Sequence, residues 1–508
     1  MRKVLLFANT YGVKRDNMNG VELSFKRFTK TPSILRIAYH LRKNNIETKQ
    51  IHNFVSFDDD ELEEIIKSYT NNGKEEIILG ISLSFIISNR TKHGTNNNSK
   101  YGDWGINELE KIKLVSSLGK KYNCIVVVGG WPVSPDQFIF STHFFNEVDL
   151  YIQGDGLVPI TLLAKKHAIQ IIPKTINNKK RLFHFSKFTV DFSDQASTAI
   201  LDDCIEQGES LSTELASGCI FSCSFCNYGS LGKKKNEFVR SYESLKNEFV
   251  SNYNNFGTRV YTFTDNIIND YEHKLDMLIR IKEETGIDLR WVSYARLDTI
   301  TNIKQAKKIK DAGAAGLSFG IESFKKSAGP YIGKMTDGDK LKEKLEMCRE
   351  VFKDDVIISG LFIAGLPTET FDDLKQTFDF LISDKGRNLI DTFVFTRLTL
   401  FPNQGTKNEI NAKRMNGDPF KDYIKNSSVG WKSPWGNSID FVNISNKMNL
   451  ENFKFGISFN LPIMHNCDTV IEDAISLTRK NKYYSERKLN QITEDKINSY
   501  KYKVLNGV

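Results

Sequence analysis

Three cysteines, Cys219, Cys223 and Cys226, stand together in the run from Leu211 to Tyr228, spaced C-x3-C-x2-C. Thiolates are soft ligands suited to iron–sulfur clusters, zinc or Cu(I), so three of them on one short loop form a metal-site pattern. The odd count carries information. A structural zinc takes four closed ligands, and no histidine lies between His184 and His273 to supply the fourth locally. A four-iron cluster held by three protein thiolates keeps one iron open to a further ligand.

The elements around the cysteines predict how they are held. Leu211 to Ala216 reads as an extended run emptying into the loop, and strand–helix alternation follows it. Further strands are predicted at Arg259–Thr264, ending at Asp265; Leu289–Tyr294, ending at Arg296; and Ala315–Phe319, ending at Gly320, Glu322 and Ser323. Val356–Ile363, ending at Gly365, and Thr392–Leu398 complete the set. In parallel barrels the polar residues at strand carboxyl ends gather on one face. Six such units predict an open, partial (β/α)6 barrel over residues 208–410. Upstream, strands at Lys3–Ala8, Glu47–His52, Ile77–Ser84 and Cys124–Val128 alternate with helices at Pro32–Asn44, Glu61–Tyr69 and Asn107–Tyr122. That order predicts a doubly wound, Rossmann-like parallel sheet over residues 1–170. The fold class is α/β. Residues 171–207 lack sustained periodicity and read as a linker, and 411–508 as a small α-rich region serving as lid or substrate-specificity element.

The cysteine loop, with Phe225 just before its last cysteine, resembles the cluster loop of the radical S-adenosylmethionine (SAM) superfamily. The resemblance implies a four-iron four-sulfur cluster on Cys219, Cys223 and Cys226 whose open iron binds SAM, and an electron that splits SAM to a 5′-deoxyadenosyl radical for hydrogen abstraction. It also implies cofactor contacts at Phe225, Gly320, Glu322 and Ser323, with Glu322 on the SAM ribose hydroxyls, and catalytic positions at Asp265 and Arg296 near substrate or the SAM carboxylate. Each has a structural alternative: Arg296 pairs with Asp298, Asp265 caps the segment after it, and Thr368 or Glu369 caps the next helix.

The segments Val126–Pro135 and Val148–Gly156 resemble signatures of the cobalamin-binding domain that precedes many radical SAM barrels, which implies cofactor contacts at Gly129, Gly130 and Gly154. The loop after the first strand, residues 9–20, lacks the histidine that many cobalamin proteins carry there. Two readings stay open: cobalamin bound without that ligand, with methyl transfer to an unreactive carbon, or a domain that kept the fold and lost the cofactor. The second leaves oxidation, rearrangement or epimerisation.

Composition bounds the rest. At 508 residues and a net charge of +8, the chain spans two or three domains and does not by charge alone point to nucleic acid. No apolar run approaches the roughly 18 residues of a membrane helix, and the N-terminus reads as a strand and not a signal peptide. Cys124, Cys204, Cys348 and Cys467 lie scattered, so no disulfide framework is expected and a cytoplasmic setting is. Expected partners are a small-molecule or peptide substrate and a reductant such as flavodoxin or ferredoxin, with neither membrane nor nucleic acid. The rivals are methylthiolation, whose family carries extra N-terminal cysteines absent here, and a non-catalytic zinc, scaffold or nucleic-acid-binding protein using the basic stretch Arg479–Lys503.

Overall fold

The computed structural model describes residues 1–9, 13–18, 21–25, 30–83, 103–130, 145–176, 178–186, 191–221, 223, 226, 237–326, 328–334, 337–364, 366, 369–397 and 486–506. They form two compact units: Met1–Gln207 with Asn247–Gly257 and Glu486–Val508, and Gly208–Lys246 with Thr258–Ser485.

In the first unit β1 (Val4–Ala8) is apolar at every position and wholly buried. Alternation splits it between two cores. Leu5 and Phe7 join Leu79, Val126 and Val128 on one face, while Val4, Leu6 and Ala8 meet Ile34, Ala38 and Leu41 of α1 (Pro32–Lys43) on the other. The sheet runs β4 (Thr48–His52), β1, β5 (Ile77–Ser82), β6 (Cys124–Gly130), β7 (Leu150–Gln153), all parallel. That doubly wound order reverses direction at β1, where such sheets open a ligand crevice at the strand carboxyl ends. A two-stranded ribbon, β2 (Val13–Met18) with β3 (Val21–Phe25), follows β1, and the unit also holds α2 (Asp59–Tyr69), α3 (Asp103–Lys121) and α4 (Leu157–Ala164).

Two segments differ from the expectation. Within the stretch read as a linker, β8 (Ile172–Ile176) and β9 (Lys179–Phe185) form an antiparallel hairpin, and β9 extends the sheet beside β7. The Phe183 ring, buried against Tyr151 at 5.4 Å between centroids, supplies the driving force that the surrounding lysines hide. At the far end of the chain, α12 (Glu486–Asn506) buries Tyr500 and Val504 in the first unit's core. This last part of the 411–508 region therefore seals a sheet; residues 398–485 lie outside the described residues.

In the second unit six parallel strands follow sequence order: β10 (Leu211–Thr213), β11 (Val260–Phe263), β12 (Arg290–Ala295), β13 (Ala314–Glu322), β14 (Ile357–Ala364) and β15 (Thr392–Arg397). Helices between them include α5 (Tyr242–Phe256), α6 (His273–Thr285), α7 (Ile303–Asp311), α9 (Gly338–Phe352) and α10 (Phe371–Ile382), with the short α8 (Ala328–Ile332) and α11 (Asp384–Leu389). Parallel strands joined by helices keep every carboxyl end on one edge. The cysteine loop, Asp265, Arg296 and Glu322 all come from that edge. Among the described residues no helix is long and apolar enough to cross a membrane.

Candidate active site

The loop is tied down at its base before it reaches the first cysteine. Asp265, two residues beyond β11 and fully buried, accepts hydrogen bonds on both carboxylate oxygens, from Leu215 N at 2.7 Å and Ala216 N at 3.0 Å. On the other side Arg240 N donates to Leu215 O at 2.9 Å, Ser217 N to Phe238 O at 3.0 Å, and Ala216 bridges Val239. Lys274 of α6, also buried, reaches Asp265 at 3.3 Å, Asp270 at 2.6 Å and the Ile267 carbonyl at 2.6 Å. Burial pushes the Asp265 carboxyl up, opposed by Lys274 and the Leu215 N–H.

Beyond this base, Cys219 is buried and Cys223 and Cys226 half-buried. Cys226 N donates to Cys223 O at 3.1 Å, and the Phe221 N–H approaches the Cys219 sulfur at 3.5 Å. Phe225 lies outside the described residues. Among the described residues no three His, Cys, Asp or Glu side chains converge on one point as a single ion would require. A four-iron cluster asks for something else, since each thiolate bonds a different iron and the ligands stand apart. Three cysteine thiolates on one loop, with no fourth ligand beside them among the described residues, are the donor set such a cluster takes when one iron is left open.

Arg296, the residue after β12, faces this loop. Its Nη1 lies 3.3 Å from the Cys223 sulfur, and its guanidinium sits 3.9 Å from the Phe221 ring centroid. The same group forks onto Asp298 through Nε at 2.9 Å and Nη2 at 2.5 Å, so the pairing read as an alternative to a site role is present together with the sulfur contact. The Asn269 side chain holds the Arg296 backbone at both N (2.9 Å) and O (2.8 Å).

Glu322 closes β13 in a left-handed conformation, φ 69°, where the register with β14 shifts. It is 8% exposed; its carboxylate is 3.4 Å from Lys334, which also donates to Gly320 O at 3.0 Å. A Cβ at position 320 would stand 2.7 Å from Glu322 Oε1, so any larger residue there would make the carboxylate move from this place. Burial pushes the Glu322 carboxyl up, while Lys334 and Arg296 hold it down, so Arg296 acts on both cysteine loop and Glu322. Ser323 donates to Glu369 at 2.7 Å. The cap of α10 is neither Thr368, which lies outside the described residues, nor Glu369: Thr370 caps it, in a reciprocal box with Asp373. Lys274 and Lys334 carry no local signal in the sequence, whereas Thr370-x-x-Asp373 has the spacing of a capping box.

In the first unit Gly129 and Gly130 end β6 and Gly154 follows β7. Gly154 has φ +101° and a Cβ there would meet Ser186 O at 2.6 Å, so the turn itself requires glycine. A Cβ on Gly129 would make only ordinary contacts, 3.6 Å or more, with Ile152; nothing among the described residues requires glycine there. His52, missed in the sequence, closes β4 fully buried, accepting from Thr31 N at 2.8 Å on Nδ1.

Residues 213–381 match the model of the Radical SAM superfamily. No curated protein matches the chain by sequence. Among solved structures, the radical S-adenosylmethionine methyltransferase TsrM from Kitasatospora setae, with tryptophan substrate and a SAM analog bound, is similar at 15% identity and a TM-score of 0.57, over 81% of this chain and 76% of that one. The cobalamin-dependent S-adenosylmethionine radical enzyme OxsB with aqua-cobalamin bound is similar at 14% identity and a TM-score of 0.57, over 99% of this chain and 80% of that one. At these identities the likeness is one of fold, spanning both sheets. The three-cysteine loop and the strand-end residues Asp265, Arg296 and Glu322 all lie inside the span, residues 213–381, that matches the Radical SAM superfamily model.

Proposed function

We propose that this chain is a radical SAM enzyme in which Cys219, Cys223 and Cys226 hold a four-iron four-sulfur cluster, and that its first unit takes cobalamin. The observation that carries the reading is a loop of three thiolates pinned at its base by Asp265 and faced at Cys223 by Arg296, within a span matching the Radical SAM model. With SAM bound, such a cluster supplies one-electron cleavage to methionine and a 5′-deoxyadenosyl radical, and cobalamin would supply methyl transfer to an unreactive carbon.

The chain's own residues then have distinct tasks. The Asp265 carboxylate fixes the strand-to-loop junction, and Glu322, buried and held by Lys334, is aimed to accept from the SAM ribose diol. Gly320 gives that carboxylate room, and Ser323 with Glu369 braces the turn after it. In the first unit the strand ends at Gly129 and Gly130, at the edge where doubly wound sheets bind ligands, leave backbone open to a large flat cofactor. TsrM and OxsB, whose fold this chain shares, are described with cobalamin, and that favours the methyl-transfer outcome. The missing histidine in residues 9–20 favours a second outcome, cobalamin-independent oxidation, rearrangement or epimerisation. A low-potential reductant, a small-molecule or peptide substrate and a cytoplasmic setting complete the proposal.

The test is anaerobic reconstitution of the full chain with iron, sulfide and hydroxocobalamin, then mass spectrometry of products after SAM and dithionite, with Cys223→Ala alongside. 5′-Deoxyadenosine from the unsubstituted protein alone is the expected result, and S-adenosylhomocysteine beside it selects methyl transfer. Equal deoxyadenosine from Cys223→Ala, or no iron bound by either protein, overturns the reading.

A further inference from the structure

The Arg296 side chain is held by Asp298 and Phe221, and its backbone by Asn269. Asp298 receives Nε and Nη2, the Phe221 ring lies across the guanidinium face at 3.9 Å, and the Asn269 amide locks the backbone. Nη2 also nears the Gly333 carbonyl at 3.4 Å. What remains is Nη1, directed at the Cys223 sulfur at 3.3 Å. Arg296 and Asp298 are both almost wholly buried, so the contact lies in a medium that screens it little. A guanidinium free to reach a diffusing carboxylate would not need such a frame.

We infer that Arg296 is a positioning residue that sets the reduction potential of the cluster through the Cys223 sulfur. This rests on the three-thiolate reading of the loop. Hydrogen bonds to the sulfurs and net local charge are among the factors that set cluster potentials. One-electron reduction, from a low-potential donor such as a flavodoxin or dithionite, adds one negative charge that spreads onto the thiolates; no bond is made or broken in the protein. An N–H directed at one of those sulfurs stabilises the reduced form more than the oxidised form and raises the potential. Asp298 opposes it, since its carboxylate offsets the guanidinium charge while its fork aims the remaining N–H. Removing the arginine and neutralising the aspartate therefore move the potential in opposite directions.

The experiment is a potentiometric titration of the reconstituted full chain without SAM, with dithionite as electron source and the reduced cluster followed by electron paramagnetic resonance. At the midpoint of the unsubstituted protein, Arg296→Gln should lower the ratio of reduced to oxidised cluster about tenfold, which is about 59 mV for one electron. Asp298→Asn should raise that ratio. An unchanged midpoint in Arg296→Gln at full iron content overturns the inference and leaves the radical SAM reading standing; a shift of both variants in the same direction also overturns it, as general loosening of the site. If Arg296→Gln fails to hold the cluster, Asp298→Asn decides alone: an upward shift supports, and a downward or absent shift refutes. Failure of the unsubstituted protein to bind any cluster removes both readings together.

Discussion

Replacing Asp265 is the perturbation whose size follows most directly from the structure. Its two oxygens satisfy the N–H groups of Leu215 and Ala216, and the carboxylate is fully buried, so no water stands ready to take over. A buried donor left unsatisfied costs about 1–3 kcal/mol. Asp265→Ala orphans two, for about 2–6 kcal/mol. The ion-pair loss adds little, because Lys274 keeps Asp270 and the Ile267 carbonyl, both at 2.6 Å. In Asp265→Asn one amide oxygen can still accept one N–H while the amide nitrogen faces the other, so about 2 kcal/mol is lost. At about 1.4 kcal/mol per factor of ten, that is roughly 30-fold faster opening at the loop base. Native-state hydrogen exchange at the Leu215 and Ala216 amides reads it, alongside iron content after reconstitution. Unchanged exchange at both amides in Asp265→Asn would refute the reasoning. A carboxylate whose part was in the chemistry alone would lose turnover while leaving exchange and iron uptake untouched.

Further outcomes follow from the first unit. Gly154→Ala should cost about 1–3 kcal/mol in urea unfolding without any ligand, because its φ of +101° and the Ser186 carbonyl at 2.6 Å exclude a Cβ, whereas Gly129→Ala should stay within about 0.5 kcal/mol and instead weaken hydroxocobalamin uptake; equal urea midpoints for the two variants would contradict this. Burial, Lys30 and Arg42 hold the His52 pKa well below its ordinary value, so below about pH 6.5 the unfolded chain binds a proton that the folded chain refuses. Stability present above that pH should fall as pH drops, by up to about 1.4 kcal/mol per pH unit, and His52→Asn, which keeps an acceptor for Thr31 N, should flatten the slope; parallel slopes would sink the assignment.

Much of the fold was legible because it rests on local pattern. Apolar strands bounded by helices, and polar residues one or two positions past each strand, follow from period and residue type, and the strands of the second sheet came out in the order read from the chain. The hairpin of β8 and β9 was harder to see. Asn178 sits at φ 59°, a conformation asparagine tolerates, but the lysine-rich strands around it hide their inward residue, Phe183. The docking of α12 is illegible in principle: Tyr500 donates no local signal that it will cap His52 N at 2.9 Å from across the sequence.

Site residues show the same division. Cysteine spacing is chemistry written in the sequence, but the partners that orient it are made by tertiary approach: Lys274 under Asp265, Asp298 and Phe221 around Arg296, Lys334 beside Glu322. The Gly320-x-Glu322 spacing could be read only as a resemblance, and the structure supplies its cause. A non-glycine residue at positive φ is strained by about 1–3 kcal/mol and persists where its surroundings over-determine it. Here the register shift with β14 turns Glu322, the bare Cα of Gly320 admits its carboxylate, and Lys334 spans both the carboxylate and the Gly320 carbonyl. Were this glutamate only a filler of the strand end, any polar residue in ordinary extended backbone would serve without the strain, the glycine or the buried lysine. Three separate accommodations for one carboxylate at the carboxyl edge of a parallel sheet support the proposal that this side chain is held for a ligand.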